Sequence, residues 1–257
     1  MPTTPGRLVI LCGPSCVGKS PLAKALDKFH PGHFKKLQPL VLYNSRDPRP
    51  GERNGVDYYF RTRAQVESLR NDTRYAVLDV RGDLQALDFD NLLDSSNKGD
   101  VFFEGNPMVG LTILRHPSLS DFPKLSAFLA PLSQEEITFL KSSGHNIQLK
   151  DVVTDVMRRK LLRRTRRQKG ELSIKDLENI ERRAGSAFSE LQQAHHFDHV
   201  IPNHDGEDSE NWDAFYYPLG DARNALNAFV ALLEGHLSPH IEKWPADLLP
   251  RLGNLSG

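Results

Sequence analysis

Residues 13–20 read Gly-Pro-Ser-Cys-Val-Gly-Lys-Ser and constrain the fold more than any other segment. They follow residues 7–12, a short apolar run of the kind that forms a parallel strand buried on both faces. They lead into residues 19–29, whose apolar side chains recur at helical spacing. A Gly-x4-Gly-Lys-Ser pattern between a strand and a helix predicts a phosphate-binding loop. The alternative is a plain strand-to-helix turn, and the completed Lys-Ser ending speaks against it.

The chemistry expected of this loop follows from its backbone and its last two side chains. Glycines let backbone N–H groups point at phosphate oxygens, and the helix N-terminus adds its positive dipole end. Lys19 would reach the β and γ oxygens of ATP, and Ser20 would supply a hydroxyl to Mg²⁺. Glu104, which ends a later apolar run, is the candidate acidic partner beside it, with an ordinary strand-end acid as the alternative. The residues expected to bind ATP are Gly13, Pro14, Ser15, Cys16, Val17, Gly18, Lys19 and Ser20.

Further apolar runs and helical patterns alternate along the chain. The runs short enough for central strands are residues 100–104, 125–130 and 199–201. The segments with helical patterns are residues 63–70, 151–169, 174–193 and 221–234. This alternation predicts an α/β fold of the P-loop NTPase type, in which helices flank a central parallel sheet.

Composition narrows the class of protein without naming a function. The 257 residues fit one large α/β domain, and Lys plus Arg and Asp plus Glu both number 33. A net charge of zero gives no global field that would favour nucleic acid or an acidic membrane surface. The two cysteines lie inside or beside the loop and have no other partner, which is typical of reducing compartments. No apolar run approaches the length of a membrane span, so we expect a cytoplasmic protein.

Residues 44–60 form an Arg-, Pro- and Gly-rich segment that ends in Asp-Tyr-Tyr-Phe. They contain the spaced pattern R-x-x-R-x-G-E-x-x-G-x-D-Y-x-F. This pattern closely resembles the nucleoside-monophosphate-binding segment of guanylate kinases, and it is far more specific than the phosphate loop. The likeness to that family spans residues 7 to about 235, although it is weak from 61 to 124.

The resemblance implies roles for residues outside the phosphate loop. Arg46, Arg49 and Tyr58 would hold the acceptor phosphate, for which two guanidinium forks and a phenol are chemically suited. Solvated loop arginines are the alternative. Arg183 and Arg164 would contact the ATP phosphates from the lid side. Several arginines of the run 158–167 compete for the second role, and that run can also be read as a solvated helical face.

Residues 199–205 resemble the closing strand and turn of the family, and the resemblance places Asn203 with the ATP-binding residues. It also implies a guanylate kinase-like domain over residues 1–235, followed by an irregular tail, 236–257. Within the domain we expect a core, an acceptor lobe over 44–98 and a lid over 158–180. The core comprises 7–43, 99–140 and 195–235. Residues 141–153 and the tail exceed a minimal guanylate kinase, and the sequence leaves open whether they reshape the lid or form an oligomer contact.

The sequence departs from the family where the acceptor base is read. Leu42 stands where guanylate kinases have a serine that hydrogen-bonds guanine, and leucine has no such group. Gln85 replaces the second tyrosine of the acceptor site. Asp79 is the nearest carboxylate for a base edge, and a solvated acid is an equal alternative. With Glu104, these residues complete the predicted substrate side.

The sequence therefore predicts an ATP-dependent phosphotransferase that moves the γ-phosphate of ATP to a nucleoside monophosphate, with GMP as the first candidate. One alternative is a kinase of another small phosphorylated acceptor, such as a sugar phosphate. Another is a non-catalytic guanylate kinase-like binding module, although such modules usually lose the phosphate loop. A kinase of nucleic-acid ends is disfavoured by the net charge of zero and by the lack of interleaved aromatic residues. We expect no membrane partner.

Overall fold

The computed structural model describes residues 6–49, 51–142 and 148–250. Its strands are β1 (Leu8–Cys12), β2 (Leu37–Pro39), β3 (Tyr43–Asn44), β4 (Tyr59–Phe60), β5 (Tyr75–Val80), β6 (Asp83–Asp88), β7 (Asp100–Gly105), β8 (Lys124–Ala130) and β9 (His199–Pro202). Its helices are α1 (Lys19–Phe29), α2 (Pro31–Phe34), α3 (Arg63–Ser68), α4 (Phe89–Ser96), α5 (Pro107–Arg115), α6 (Gln134–Ser142), α7 (Leu149–Lys169), α8 (Ile174–Gly185), α9 (Ala187–Leu191) and α10 (Gly220–Leu233).

Five strands form a central parallel sheet in the order β2-β7-β1-β8-β9. Every residue of β1 is buried, as expected for a strand covered on both faces. The edge strand β2 ends at Pro39, and proline is tolerated there because an edge strand lacks one neighbour. The predicted fold class, a parallel sheet flanked by helices, is confirmed.

The predicted helices are present, with one correction. Residues 174–193 do not form a single helix, because α8 ends at Gly185 and α9 begins at Ala187. Glycine lowers helix propensity, and the Ser186 hydroxyl bonds to Arg183 O at 3.1 Å and to Glu190 Oε1 at 3.0 Å. These local hydrogen bonds compete with continued helical pairing and explain the break.

The chain divides into two compact units. The first comprises Met1–Ile10, Lys36–Phe103 and Met108–Lys124, and the second comprises Leu11–Lys35, Glu104–Pro107 and Leu125–Gly257. The predicted boundaries of core, acceptor lobe and lid stay predictions. Part of the expected insertion, residues 143–147, and the last residues of the tail, 251–257, lie outside the described residues, as does Pro50 within the acceptor segment.

The first unit contains a second sheet, in the order β4-β3-β6-β5. Strands β5 and β6 form an antiparallel hairpin whose turn contains Arg81 and Gly82, both at positive φ. One face of this sheet packs an apolar cluster in which Val66 of α3 meets Leu84 and Ala86 of β6. The turn lacks the Asn-Gly or Asp-Gly signal of a two-residue hairpin, which explains why the sequence did not predict it.

The second unit packs its helices against β8 and β9, with Phe128 and Phe197 in ring contact at 5.4 Å between centroids. The described part of the tail that follows α10, up to residue 250, is irregular and packed. Glu242 pairs with Val200 through two backbone hydrogen bonds of 2.7 and 2.8 Å, and Trp244 and Leu248 are buried. Among the described helices, none is both long enough and apolar enough to cross a bilayer.

A charged cluster joins α6, α10 and the end of β9 in the second unit. His204 Nε2 lies 2.9 Å from a Glu136 carboxylate oxygen, and its Nδ1 lies 2.5 Å from Asp221 Oδ2. Partial burial opposes protonation, but the hydrogen bonds and charges of the two carboxylates outweigh it and raise the pKa of His204 above its ordinary value. The imidazolium therefore stabilises the folded state.

We expect this contribution to be complete below pH 6.5, the ordinary pKa of histidine, and to fade as pH rises through the higher folded-state pKa. Between pH 6 and pH 9, the wild-type protein should lose about 0.5 to 1 kcal/mol relative to His204→Gln, the size of a partly exposed ion pair. Urea unfolding at both pH values measures the difference. His240→Gln, which changes an exposed histidine of the tail, is the control. A His204→Gln protein with the same pH dependence as the wild type would contradict the assignment.

Candidate nucleotide-binding sites

The backbone of the phosphate loop, residues 13–20, is held in an unusual conformation between β1 and α1. Gly18, the residue before α1, has φ of 107°. A Cβ atom at this position would lie 2.5 Å from Asn203 Nδ2 and 2.8 Å from Asp205 O, so only glycine fits. Cys16 has φ of 69°, which is rare for a residue with a side chain. The loop therefore depends on packing from the rest of the second unit.

Two buried cations converge on this loop. Lys19 Nζ donates hydrogen bonds to the carbonyl oxygens of Gly13 and Pro14 at 2.9 and 2.8 Å. Arg183 Nε, near the end of α8, donates to the Ser15 hydroxyl at 2.9 Å. Both side chains are buried. The geometry thus brings together the loop, Lys19 and Arg183, three parts of the site that the sequence predicted separately.

Ser20 and Glu104 supply oxygen atoms beside the same loop. The exposed Ser20 hydroxyl donates to Glu104 Oε1 at 2.7 Å. Burial raises the pKa of the Glu104 carboxyl, while Ser20 and Lys19 oppose that shift. A hydroxyl and a carboxylate are hard oxygen ligands, which Mg²⁺ prefers. No cluster of three or more His, Cys, Asp or Glu side chains suited to a metal occurs among the described residues. The oxygen atoms of Ser20 and Glu104 fit Mg²⁺, which usually keeps waters and substrate phosphates as most of its ligands.

Asn203 and Glu207 hold the loop by hydrogen bonds to its backbone carbonyl groups. Asn203 is fully buried, and its Nδ2 donates to Val17 O and Asp205 O, both at 2.8 Å. Glu207 accepts from Arg164 Nη1 at 2.5 Å, while its backbone N–H donates to Cys16 O at 3.2 Å. The predicted contacts of Asn203 and Arg164 with ATP stay predictions, because both side chains bond to protein groups here.

The Arg164–Glu207 pair is a partly buried ion pair that the sequence did not predict. Burial alone would raise the pKa of the Glu207 carboxyl, but the charges of Arg164 and Lys19 outweigh burial and hold that pKa below its ordinary value. Glu207 thus stays ionised beneath Cys16. No local sequence signal marks the pair, because its members lie 43 positions apart.

The acceptor segment of the first unit holds Arg46 in a fixed orientation. Its Nη1 and Nη2 donate to the two carboxylate oxygens of Glu52 at 2.6 and 2.7 Å. The guanidinium carbon lies 5.2 Å from the ring centroid of Tyr58 and 5.5 Å from that of Phe60. Glu52 also accepts from the backbone N–H of the exposed Arg49 at 2.7 Å. Three residues predicted for the acceptor phosphate, Arg46, Arg49 and Tyr58, are therefore linked in one small network.

The register of the second sheet separates Gln85 from Asp79. Gln85 pairs with Leu78 and Asp79 with Leu84, so Gln85 and Asp79 point to opposite faces of the hairpin. Asp79 accepts from the backbone N–H of Gly82 at 2.7 Å and is exposed. Both stay predictions as substrate residues, but they cannot line the same face of the sheet.

Asn44 is a buried polar residue that the sequence reading overlooked. It is 0% exposed and pairs with Gln85 across β3 and β6. The available signal was in the acceptor motif, where the family has Thr-Thr before the first arginine and this chain has Asn-Ser. Asn44 thus places an amide in the motif, two residues before its first arginine.

The partly buried ion pair of Arg164 with Glu207 yields a stability prediction. Glu207→Leu removes the carboxylate that pairs with the Arg164 guanidinium, which should cost about 1.5 to 3 kcal/mol, the size of a charge-assisted hydrogen bond. The double variant Glu207→Leu, Arg164→Met removes both charges and should be more stable than the single variant. Urea unfolding without nucleotide measures both. A double variant as unstable as Glu207→Leu would show that the two residues act independently.

Comparisons with known proteins identify relatives of this chain. Residues 5–79 match the family model described as guanylate kinase. The guanylate kinase of Synechococcus sp. (strain JA-3-3Ab) is 31% identical over 220 residues, covering 84% of this chain and 85% of that protein. The human guanylate kinase is 53% identical over 61 residues, covering 24% of this chain and 29% of that protein.

A solved structure supports the same fold. The crystal structure of guanylate kinase from Anaplasma phagocytophilum superposes with a TM-score of 0.54 at 17% identity, covering 91% of this chain and 87% of that one. At this identity the likeness concerns the fold alone. Together with the sequence relatives and the loop geometry, it shows that the chain belongs to the guanylate kinase family and is a nucleoside monophosphate kinase.

Proposed function

We propose that this kinase transfers the γ-phosphate of ATP to the phosphate of GMP, with Mg²⁺ as the metal. The observation that carries the proposal is the pair of intact phosphate-binding elements. The loop has Lys19 at its backbone carbonyls and Arg183 at the Ser15 hydroxyl, and the acceptor segment has Arg46 held by Glu52. GMP is supported as the acceptor by the relatives, which are named guanylate kinases.

On the ATP side, the loop acts by positioning and by charge. Its backbone N–H groups would hold the β-phosphate, and Lys19 would exchange its two carbonyl partners for phosphate oxygens. Arg183, already at the loop through Ser15, would neutralise charge on the transferring group. Ser20 and Glu104 would hold Mg²⁺ directly or through water, and the ion when bound supplies positive charge to the phosphates.

On the acceptor side, Arg46 and Arg49 would bind the phosphate of the monophosphate, with the phenol of Tyr58 as a third donor. Burial raises the pKa of the Glu52 carboxyl, but the hydrogen bonds from the Arg46 side chain and the Arg49 backbone, together with the charges of both arginines, outweigh burial, so the pKa lies below its ordinary value. An ionised Glu52 keeps the guanidinium in place before substrate arrives. This preorganisation reduces the entropy that binding must remove.

The base-binding part of the acceptor site departs from the family, because Leu42 is buried and apolar where the family has a serine. An apolar contact discriminates between substrates by about 10- to 200-fold, whereas a polar readout can reach 10⁴ or more. A different small phosphorylated acceptor is therefore the second candidate. A cytoplasmic location and independence from nucleic acid stay predictions of the sequence.

We expect Lys19→Met to reduce kcat by at least about 100-fold, because the substitution removes a positive charge that stabilises the transition state. The substitution changes no residue of the apolar core. Initial rates with ATP and GMP measure the change. Lys24→Met, a lysine of the same helix that lies outside the loop, is the matched control. Near wild-type turnover by Lys19→Met would contradict the assignment of the loop as the ATP site.

We expect Arg49→Ala to raise the KM for the acceptor with little change in the KM for ATP. A charge-assisted hydrogen bond contributes about 1.5 to 3 kcal/mol, which corresponds to roughly a 10- to 100-fold loss of kcat/KM for GMP. Arg53→Ala, another exposed arginine of the same segment, should leave both values near wild type. If Arg49→Ala weakens only ATP, the segment has been misassigned.

The acceptor itself is tested by a panel. Initial rates with GMP, dGMP, AMP, CMP, UMP and ribose phosphates at equal concentration should be highest for GMP. Because Leu42 removes a base-directed hydroxyl, the preference for GMP should be smaller than that of a guanylate kinase with the serine, measured in parallel. A ribose phosphate or a pyrimidine nucleotide as the best acceptor would replace GMP in the proposal.

A further inference from the structure

Asn44 occupies a defined place on one face of the acceptor sheet. Its partners in register are Phe60 on β4 and Gln85 on β6, so these three side chains share a face. The neighbouring Tyr43 points the other way and packs on the apolar cluster of Val66, Leu84 and Ala86. Asn44 therefore lies outside that cluster even though it is completely buried.

The orientation of the Asn44 amide follows from a hydrogen bond. The backbone N–H of Arg46 donates to Asn44 Oδ1 at 3.2 Å, which identifies the oxygen and so also the nitrogen of the amide. Among the described residues, Nδ2 has no hydrogen-bond partner. A buried amino group without a partner is costly, and such groups in native proteins call for an explanation such as a ligand.

The surroundings of Asn44 connect it with the acceptor. The Arg46 guanidinium, proposed to bind the acceptor phosphate, lies 5.5 Å from the ring centroid of Phe60, which is the in-register neighbour of Asn44. The guanidinium of Arg46 and the unpaired amino group of Asn44 therefore lie on the same face of the sheet. A monophosphate anchored on Arg46 would have its nucleoside within reach of that face.

Leu42, two residues before Asn44, does not offer a polar group for the base. Its side chain is buried, and its carbonyl accepts from the backbone N–H of Tyr59 at 2.8 Å. Residues two apart on an extended chain point to the same side. Leu42 and Asn44 therefore point to the same side of the chain. The Asn44 amide provides a polar group on the side where leucine provides none.

The chemistry of the free amino group selects among bases. Nδ2 can only donate hydrogen bonds. Guanine presents O6 and N7, both acceptors, on one edge, whereas adenine presents an amino donor beside its N7. The Nδ2 donor of Asn44 can therefore donate to O6 of guanine, whereas it would face another donor at the amino group of adenine. It makes no contact with the 2-amino group of guanine.

We propose that Asn44 is a specificity-determining residue whose Nδ2 donates to the exocyclic oxygen of the acceptor base. This inference rests on the proposed nucleoside monophosphate kinase activity and deepens it. It selects 6-oxopurine monophosphates as the substrate class, so IMP, which keeps O6 and lacks the 2-amino group, should be accepted nearly as well as GMP. AMP should be a poor acceptor.

The test compares Asn44→Asp with Asn44→Thr. Aspartate keeps the shape and the oxygen that accepts from Arg46 but replaces the donor with an acceptor. The ratio of kcat/KM for GMP to that for AMP should fall by about 10- to 100-fold, and the ratio for IMP to AMP should fall in parallel. Threonine keeps both an oxygen acceptor and an O–H donor, so it should retain most of the preference. Thermal unfolding of each variant checks that the buried substitution is tolerated.

Asn71→Asp, which makes the same change at an exposed asparagine after α3, is the control, and it should leave the ratio of GMP to AMP unchanged. The inference is overturned if Asn44→Asp and Asn44→Thr reduce all acceptors equally, or if wild-type enzyme prefers GMP to IMP by more than about 100-fold. An equally large change of the ratio in Asn71→Asp would also overturn it. Shifts of the thermal midpoint with GMP, IMP and AMP provide a readout that does not depend on turnover. If no monophosphate is phosphorylated or bound, the proposed function itself fails, and that result differs from turnover without discrimination.

Discussion

The hydrogen bonds to the backbone of the phosphate loop are the interactions on which the functional part of this protein depends. The loop adopts left-handed conformations at Cys16 and Gly18, which cost energy unless the surroundings fix them. Asn203 holds the carbonyl of Val17, and the backbone of Glu207 holds that of Cys16. Both residues follow β9, so the closing strand of the sheet keeps the loop that follows the first strand in shape.

The acceptor segment is held in shape by different interactions from those of the phosphate loop. Its local backbone is mostly irregular, and the strands on either side of the segment are only two residues long. Side-chain hydrogen bonds give the segment its order, and Glu52 contributes most directly to the arginines because it binds the side chain of Arg46 and the backbone of Arg49 at the same time. The glutamate of the motif, Glu52, thus positions the two arginines. Sequence patterns for phosphate binding contain such supporting residues as well as those that touch the ligand.

The parts of the structure that could be predicted from sequence are those with local signals. The loop, the helix from Lys19 to Phe29 and the four apolar runs all follow from patterns within a few residues. The hairpin of β5 and β6 was missed because its Arg-Gly turn is an uncommon signal, and the break at Gly185 because apolar spacing continues across it. The ion pair of Arg164 with Glu207 depends on tertiary packing and has no local signature. The unpaired amide of Asn44 became visible only when strand register assigned it to a face.

Cys16 has a consequence for how the loop responds to its chemical environment. Its thiol is fully buried, and burial raises its pKa to about 12. Thiolate is the form that reacts with alkylating agents, oxidants and soft metal ions, so this cysteine is chemically inert in the folded protein. It fills space as a small apolar side chain would. Cys12 is also buried, so loss of activity on treatment with a thiol reagent would report opening of the strand and loop that bury these two cysteines.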